Sequence, residues 1–453
     1  VGLYVGKDYI YDIHNYVILK DDVTGTDKEI LDNTEATAWL KATGQKLNQT
    51  DLMVKDNGGY KAVVDEYRVV VKAKAATDAA DEVAAIAKVV EGDVIERGDN
   101  YTIVASNIVM TLDEAKAITD NNQLVGIAKA KAWKVADLTE GTVKLESTTF
   151  EAKVNDYTAT FSVEEEPATK VTVQIKVIDR HVIEHGDTYT IGANNIVMNV
   201  AQANAMANND ELIGLAKAVA VNRKDMSAGT VELESTDFER TATVEKDYTA
   251  TFRVKEEPAT KATITIKVVK KDEITSEDHY AIGANNFTIT KSKAENHTEE
   301  NLIEWGAAEG WKVKDLSNEP VKVKEKSIGT DVTSQDYYVI YQLVNHPEKT
   351  VKVKVTVTNG EAPELTVDPE FMSIEIDAAF DYKQGVSAWD SEDGDLTGKV
   401  ISTGSVDTSK KGVYVIEYSV TDNDGNTANK KRIVAVGLYV GKDYIYDIHN
   451  YVI

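Results

Sequence analysis

Two repeats, one nested inside the other, limit what this chain can fold into. Residues 1–18, VGLYVGKDYIYDIHNYVI, recur without a change at 436–453, an offset of 435 residues. Chance does not produce an identity of that length, so the end of the chain restarts its beginning. Inside that period lies an older, partial repeat. Gly192-Ala-Asn-Asn returns as Gly283-Ala-Asn-Asn, and Glu166-Pro-Ala-Thr-Lys as Glu257-Pro-Ala-Thr-Lys, each 91 residues on. Asp187-Thr-Tyr-Thr-Ile resembles Asp99-Asn-Tyr-Thr-Ile, 88 residues earlier. Asp156-Tyr157, Asp247-Tyr248 and Asp336-Tyr337 hold one equivalent position, and Tyr9 and Asn15 fall on Tyr101 and Asn107. A fixed period of this size is the mark of a tandem array whose modules mainly touch their neighbours.

The repeats set the expected domains. Divergent units run over 1–92, 93–180, 181–271 and 272–359, a different unit over 360–435, and 436–453 is the first strand of another copy of unit 1. Recent amplification of a five-domain block accounts for the perfect copy; the alternative is a strand duplicated to complete a terminal domain. The opening strand-like run reads as an internal piece of something longer.

Unit 3 serves as the template. Tyr189–Met198 reads as a strand kinked at Gly192-Ala-Asn-Asn, where left-handed backbone is easy. Ala201–Lys217 carries helix formers at helical spacing, and its counterpart in unit 2 opens on the capping-box spacing Thr111…Glu114. Three alternating strands follow, at Thr230–Leu233, Tyr248–Val254 and Thr263–Val269. Glu256–Lys261 is a turn, its Pro kept out of the ladder. In unit 1 the Ala-rich stretch Ala73–Val89 favours helix by propensity, while repeat register demands a turn and a last strand; register is preferred. The expected fold is therefore α+β and all-β. It is an elongated tandem array of small sandwich-like domains, four β-α-β-β-β units followed by one all-β sandwich. The junctions are short and charged, with no Gly/Ser run. Five units end to end would reach on the order of 170 Å at about 3.3 Å per strand residue.

Composition narrows the partners. There are 76 Asp and Glu against 50 Lys and Arg, a formal charge of −26. Such a chain is repelled by nucleic acid and by anionic membrane surfaces, so neither is expected as a partner. No apolar run is long enough for membrane insertion of this segment. Zero cysteines exclude disulfides, thiolate metal sites and Cys nucleophiles.

Few residues suggest chemistry. Asp390, Glu392, Asp393 and Asp395 form one acidic turn, and Asp422 and Asp424 lie in a second. Hard cations such as calcium favour carboxylates grouped on a turn, yet no Glu completes an EF-hand loop, and two solvated polar turns explain the pattern as well. Calcium is the one cofactor considered. His181 and His185 flank Glu184, but zinc needs further ligands that the sequence does not offer. No nucleophile elbow, phosphate loop or dinucleotide fingerprint appears, so no enzyme is expected. Tyr157, Phe161, Tyr248 and Phe252 share one strand face and read as core, as do Trp133 and Trp311 at the ends of helical segments. Tyr4, Tyr9, Tyr11 and Tyr16 give unit 1 an aromatic bias that could serve a binding surface.

The fifth unit resembles a known family. Asp390-Ser-Glu-Asp-Gly-Asp-Leu-Thr, Gly404-Ser-Val-Asp-Thr-Ser-Lys-Lys-Gly-Val-Tyr and Tyr418-Ser-Val-Thr-Asp-Asn-Asp-Gly-Asn-Thr-Ala, in that order, resemble the Ig-like domains of bacterial surface proteins. These domains also accompany some crystal toxins. Units 2 to 4, with openings such as Ala284-Asn-Asn-Phe-Thr-Ile289, look like repeat modules of Gram-positive cell-wall-anchored proteins. The resemblance implies an extracellular, cell-surface stalk or fibre, anchored to the wall or polymerised. Its partners would be further copies of the same repeat block in the same or neighbouring chains. An adhesin that binds a host protein or glycan through one module is the alternative. Lys–Asn isopeptide cross-links are a further implication, with no motif naming a pair.

Overall fold

The computed structural model describes residues 3–241, 245–329, 332–333 and 335–447. The chain forms two compact units, one of Val1–Met198 with Gln202–Val268, the other of Asn199–Ala201 with Val269–Ile453. β-Structure dominates both, in many small four-stranded sheets.

In the first unit, residues 94–178 show the pattern most fully. One sheet runs Glu140–Gly141, Lys131–Lys134, Tyr101–Ala105, Val94–Arg97, all antiparallel. The second runs Ile108–Thr111, Lys170–Ile178, Asn155–Val163, Val143–Thr148. Its first pair is parallel, Ile108 standing opposite Ile175. Alternation explains the long strands: Tyr157, Ala159, Phe161 and Val163 point inward while Asp156 and Thr158 face water. Between the two sheets sit Ile103, Leu124, Tyr157, Phe161, Val173 and Ile175, one contiguous core. Two short helices, Leu112–Ala117 and Gln123–Ile127, cover one end. The first is closed by the expected capping box of Thr111 and Glu114, and buries Ala115.

Residues 4–90 repeat the plan, with sheets Tyr4–Val5, Tyr9–Asp12, Thr37–Leu40, Gln45–Lys46 and Tyr16–Leu19, Glu82–Val90, Asp65–Ala73, Leu52–Asp56. The Ala-rich stretch is a turn at Ala79–Asp81 followed by strand Glu82–Val90. Tertiary pairing there overrides helix propensity, because Glu82–Val90 is held on both sides, by Asp65–Ala73 and Tyr16–Leu19. In the third set, strands Val231–Thr236, Lys246–Val254 and Lys261–Val269 stand where alternation predicted three, and the region Ala201–Lys217 holds helices Val200–Ala205 and Glu211–Leu215.

The second unit holds the fourth set and the all-β sandwich. The fourth set again pairs two sheets, Glu273–Ser276, Tyr280–Ala284, Glu309–Lys312, Asn318–Glu319 and Phe287–Thr290, Thr350–Thr358, Asp336–Leu343, Val321–Lys326. The fifth has sheets Glu364–Val367, Val386–Asp390, Gly394–Asp395 and Phe371–Ile374, Thr427–Val436, Gly412–Thr421, Ile401–Thr403. Leu365, Ile416, Tyr418 and Val420 fill its core. Arg432, fully buried, donates to the carbonyls of Pro369 and Gln384 at 2.9 and 2.6 Å. Beyond it, Tyr439–Val440 and Ile445–Tyr446 form a hairpin in the register of Tyr4–Val5 with Tyr9–Asp12: Tyr439 faces Tyr446 as Tyr4 faces Tyr11.

Three expectations need correction. Among the described residues each divergent set has eight strands, not four, because strands of two to four residues carry too little of a period to read. The Gly192-Ala-Asn-Asn kink uses no left-handed residue; none of its four positions has positive φ. Trp133 and Trp311 do not end helices but lie in strands Lys131–Lys134 and Glu309–Lys312, both buried.

Candidate functional site: the repeated junction and its cleft

The kink is where the chain leaves one sheet and enters the other, and a single Asn marks it in every divergent set. Asn15 Oδ1 accepts from the backbone N–H of Ile86 at 2.8 Å, Asn107 Oδ1 from Gln174 at 2.8 Å, Asn195 Oδ1 from Thr265 at 2.9 Å and Asn286 Oδ1 from Lys354 at 2.7 Å. Each therefore ties the kink to the last long strand of its own module. The other half of the amide reaches forward. Asn15 Nδ2 donates to Ala136 O at 3.0 Å, and Asn107 Nδ2 donates to Arg223 O and Lys224 O at 2.6 and 3.1 Å. Only a side-chain amide carries an acceptor and two donors on one short stem, so Asn can bridge both modules at once.

Apolar residues close the first two junctions beside this pin. Val17, Leu19 and Val90 of the first module pack on Val104 and Trp133 of the second. Val109 and Ile178 of the second pack on Val221 of the third, with Ile183, Val219 and Met226 at the rim. Trp133 and Val221 are equivalent, 88 residues apart, as are Val90 and Ile178. Lys88 Nζ sits 5.6 Å above the Trp133 ring. Burying such side chains contributes about 1.5–3 kcal/mol each, so a junction is held mainly by its apolar plug and directed by its Asn. Gly92 links the first two modules, and a Cβ there would lie 2.3 Å from Val104 Cγ1; the close approach requires glycine.

Charged groups rim the plug. At the first junction Arg97 Nη2 donates to Val17 O at 3.2 Å and to Asn33 Oδ1 at 3.3 Å. Its counterpart at the second is His185, whose Nδ1 lies 2.8 Å from Thr190 Oγ1. Burial, and then the Arg223 guanidinium, push the His185 imidazole below its ordinary range. Asp93, which accepts from Asn107 N at 3.0 Å, is pushed up by burial against the pull of Arg223. Lys224 reaches past the second module to Asp21, 2.7 Å away.

The first junction also holds a cleft of about 360 Å³, whose lining includes His14, Asp32, Glu35, Arg97, Asp99, Lys134 and Ala136. His14 stands between two carboxylates, 3.4 Å from Asp12 and 3.5 Å from Glu35. Sequence reasoning missed this site. The only signal was Asp12-Ile-His-Asn15 standing where the other modules carry Asn or Ser.

The residues singled out from sequence fall elsewhere. Asp390 is buried, and its Oδ1 accepts from the N–H groups of Glu392 and Asp393, both at 2.8 Å. Asp393 holds Asn423 through its N–H at 2.7 Å and its amide at 2.6 Å, so the two acidic turns do meet. Asp422 accepts from Asn426 N at 2.7 Å, and Asp424 accepts from Ser292 N. Asp395 is bonded by Thr397, which holds its carboxyl below the usual range. Glu392 Oε2 lies 2.5 Å from where a Gly360 Cβ would stand. Among the described residues, no three His, Cys, Asp or Glu side chains gather as a metal ion requires. Asp390, Asp393, Asp395, Asp422 and Asp424 each accept from a backbone N–H, and Asn426, which donates to Asn359 O at 2.5 Å, ties the fifth module to the segment before it. His181 and His185 likewise bring no third ligand with them. Tyr9, Tyr11 and Tyr16 are core and only Tyr4 is exposed, so the aromatic bias of unit 1 is packing. Tyr157, Phe161, Tyr248 and Phe252 are buried. Lys399 Nζ touches Asn423 Oδ1 at 2.7 Å, exposed to water. No helix among the described residues is long and apolar enough to cross a membrane.

Residues 366–436 match the family described as "Bacterial surface protein, Ig-like domain". The chain is 34% identical over 119 residues to the pesticidal crystal protein Cry22Aa of Bacillus thuringiensis, covering 25% of this chain and 16% of that one. The chain thus spans about a sixth of the curated relative it matches. Among solved structures, the CBM51-2 and INT domains of Clostridium perfringens ZmpB, in complex with GlcNAc, align at 35% identity over 16% of each chain, with a TM-score of 0.15. The protocadherin GammaB4 extracellular domain aligns at 10% identity over 89% of this chain and 76% of that one, with a TM-score of 0.17. One segment of the chain is therefore similar to a surface Ig-like domain.

Proposed function

We propose that the chain is a non-enzymatic extracellular repeat protein, a stalk or fibre on a Gram-positive cell surface. The observation that carries this reading is the repeated junction. Asn15 and Asn107 perform the same double bonding, and three equivalent plug positions, Val17 and Val109, Val90 and Ile178, Trp133 and Val221, are apolar in both junctions. A junction specified once and reused lets length be added without redesign. The Ig-like match at 366–436 supports surface exposure. Negative-stain electron microscopy of the full chain tests it: extended particles are expected, and folded-back globules would defeat it. The second reading is an adhesin that engages a glycan. The cleft beside His14 favours it, because a pure spacer has no use for a polar cavity at one junction.

A further inference from the structure

The two junctions in the first unit share a plan but not a filling. The loop of the third module that faces the second carries Asn222-Arg223-Lys224, and the same loop one module earlier carries Lys134-Val135-Ala136. At the second junction Arg223 donates to Asp187 O, while Lys224 runs past the second module to Asp21 of the first. At the first, the short Val135 stands in the place of Arg223, and the space beside Asp99, the counterpart of Asp187, is the cleft. On the opposite wall His14 replaces Ser106 of the next module, beside the same pinning Asn.

We infer that this cleft is a binding site for a neutral sugar. This deepens the adhesin reading and rests on it. The wall carries both signs, with Asp32, Glu35 and Asp99 opposed by Arg97 and Lys134. A charged ligand would meet its own sign on such a wall, whereas a polyhydroxylated neutral ring offers donors to the carboxylates and acceptors to the cations. The volume of about 360 Å³ falls in the range of small-ligand sites, which favour domain interfaces. Several wall groups are held in place by bonds to residues outside the lining: Asp32 by Lys28 and Gln49, Arg97 by Val17 O, Asn15 by Ile86. The site is thereby preorganised.

The test titrates the full chain, by saturation-transfer NMR and calorimetry, with glucose, galactose, mannose and N-acetylglucosamine. N-acetylneuraminic acid and glucosamine are the anionic and cationic arms. The key variant is Val135→Arg with Ala136→Lys, which installs the pair already accommodated at the second junction. At least one neutral sugar is expected to bind, with a tenfold or greater loss in the filled variant and a smaller loss in Asp99→Asn. No binding by any neutral sugar, binding that survives filling, or tighter binding of a charged arm would overturn the proposal. If the filled variant loses the sugar but still adheres to immobilised glycans, the cleft remains a sugar site and adhesion belongs to another surface. Particle shape by microscopy is independent of either result.

Discussion

The first and second junctions are built from one plan and depart from it at several places, among them His14, which becomes Ser106. Trp133 in the plug becomes Val221, Arg97 at the rim becomes His185, and the small Val135-Ala136 becomes Arg223-Lys224. What does not change is the Asn and an apolar centre to the plug, Val17, Val90 and Trp133 at the first junction and Val109, Ile178 and Val221 at the second. The comparison separates what a junction needs in order to join modules from what it can vary. The plug and pin join; the rim and loop set pH response and ligand space.

The largest expected effect is in the plug. Trp133→Ala should cost about 3–5 kcal/mol, since it empties a large buried volume, while Val221→Ala should cost roughly half or less. Denaturant melts of the two variants check the difference. Next comes the pin. Asn107→Ala leaves the Gln174 N–H and the Arg223 and Lys224 carbonyls without their partner, for a loss of about 2–3 kcal/mol. Asn15→Ala, with one forward bond and a more exposed site, should lose less. Equal losses would mean the forward bonds carry no weight.

The rim predicts a pH response at the second junction. His185 has a folded-state pKa below its unfolded value, so the neutral form is the one that fits. Its contribution is present above the ordinary imidazole pKa of about 6.5 and is lost as pH falls through the lower folded value. Arg223 and Lys129 work in the same direction as burial there, and Glu114 and Glu184 oppose them. Melting from pH 7 to pH 5 should therefore destabilise the parent more than His185→Gln. Arg97 stays charged throughout, so Arg97→Gln should show no such pH-dependent difference. Asp93, pushed up, acts in the opposite sense: its contribution is present below the ordinary carboxylate pKa and is lost as pH rises through the folded value.

Smaller still is the Lys224–Asp21 pair, about 40–50% exposed on both sides. Lys224→Ala should change stability by under about 1 kcal/mol and less at high salt. Smallest is calcium: with the carboxylates of Asp390, Asp393 and Asp422 taken by backbone donors, calcium against EDTA should leave Tm unchanged. A clear rise with calcium would assign the acidic turns a metal after all.

The long strands were legible because alternation is local, as in Tyr248-Thr-Ala-Thr-Phe252, and the strand at Glu82–Val90 because repeat register outweighs propensity. The repeat also exposed Asn15 and Asn107 as equivalent. What they do was not legible, because an amide that looks like a turn former bonds residues about 70 and 120 positions away. Trp133 was read as module core, since sequence cannot separate burial within a module from burial between modules. The cleft was invisible for a related reason: it is made by the absence of a long side chain that only the neighbouring repeat reveals.

The claim beneath all of this is that pin and plug fix the first three modules as one rigid body. The chain has no cysteine, so Lys28→Cys and Lys255→Cys, both at exposed positions, give two unique spin-label sites on the first and third modules. Pulsed electron-spin distance measurement should return one narrow distribution that broadens when Asn107→Ala is added. A broad distribution already present without Asn107→Ala would contradict the account.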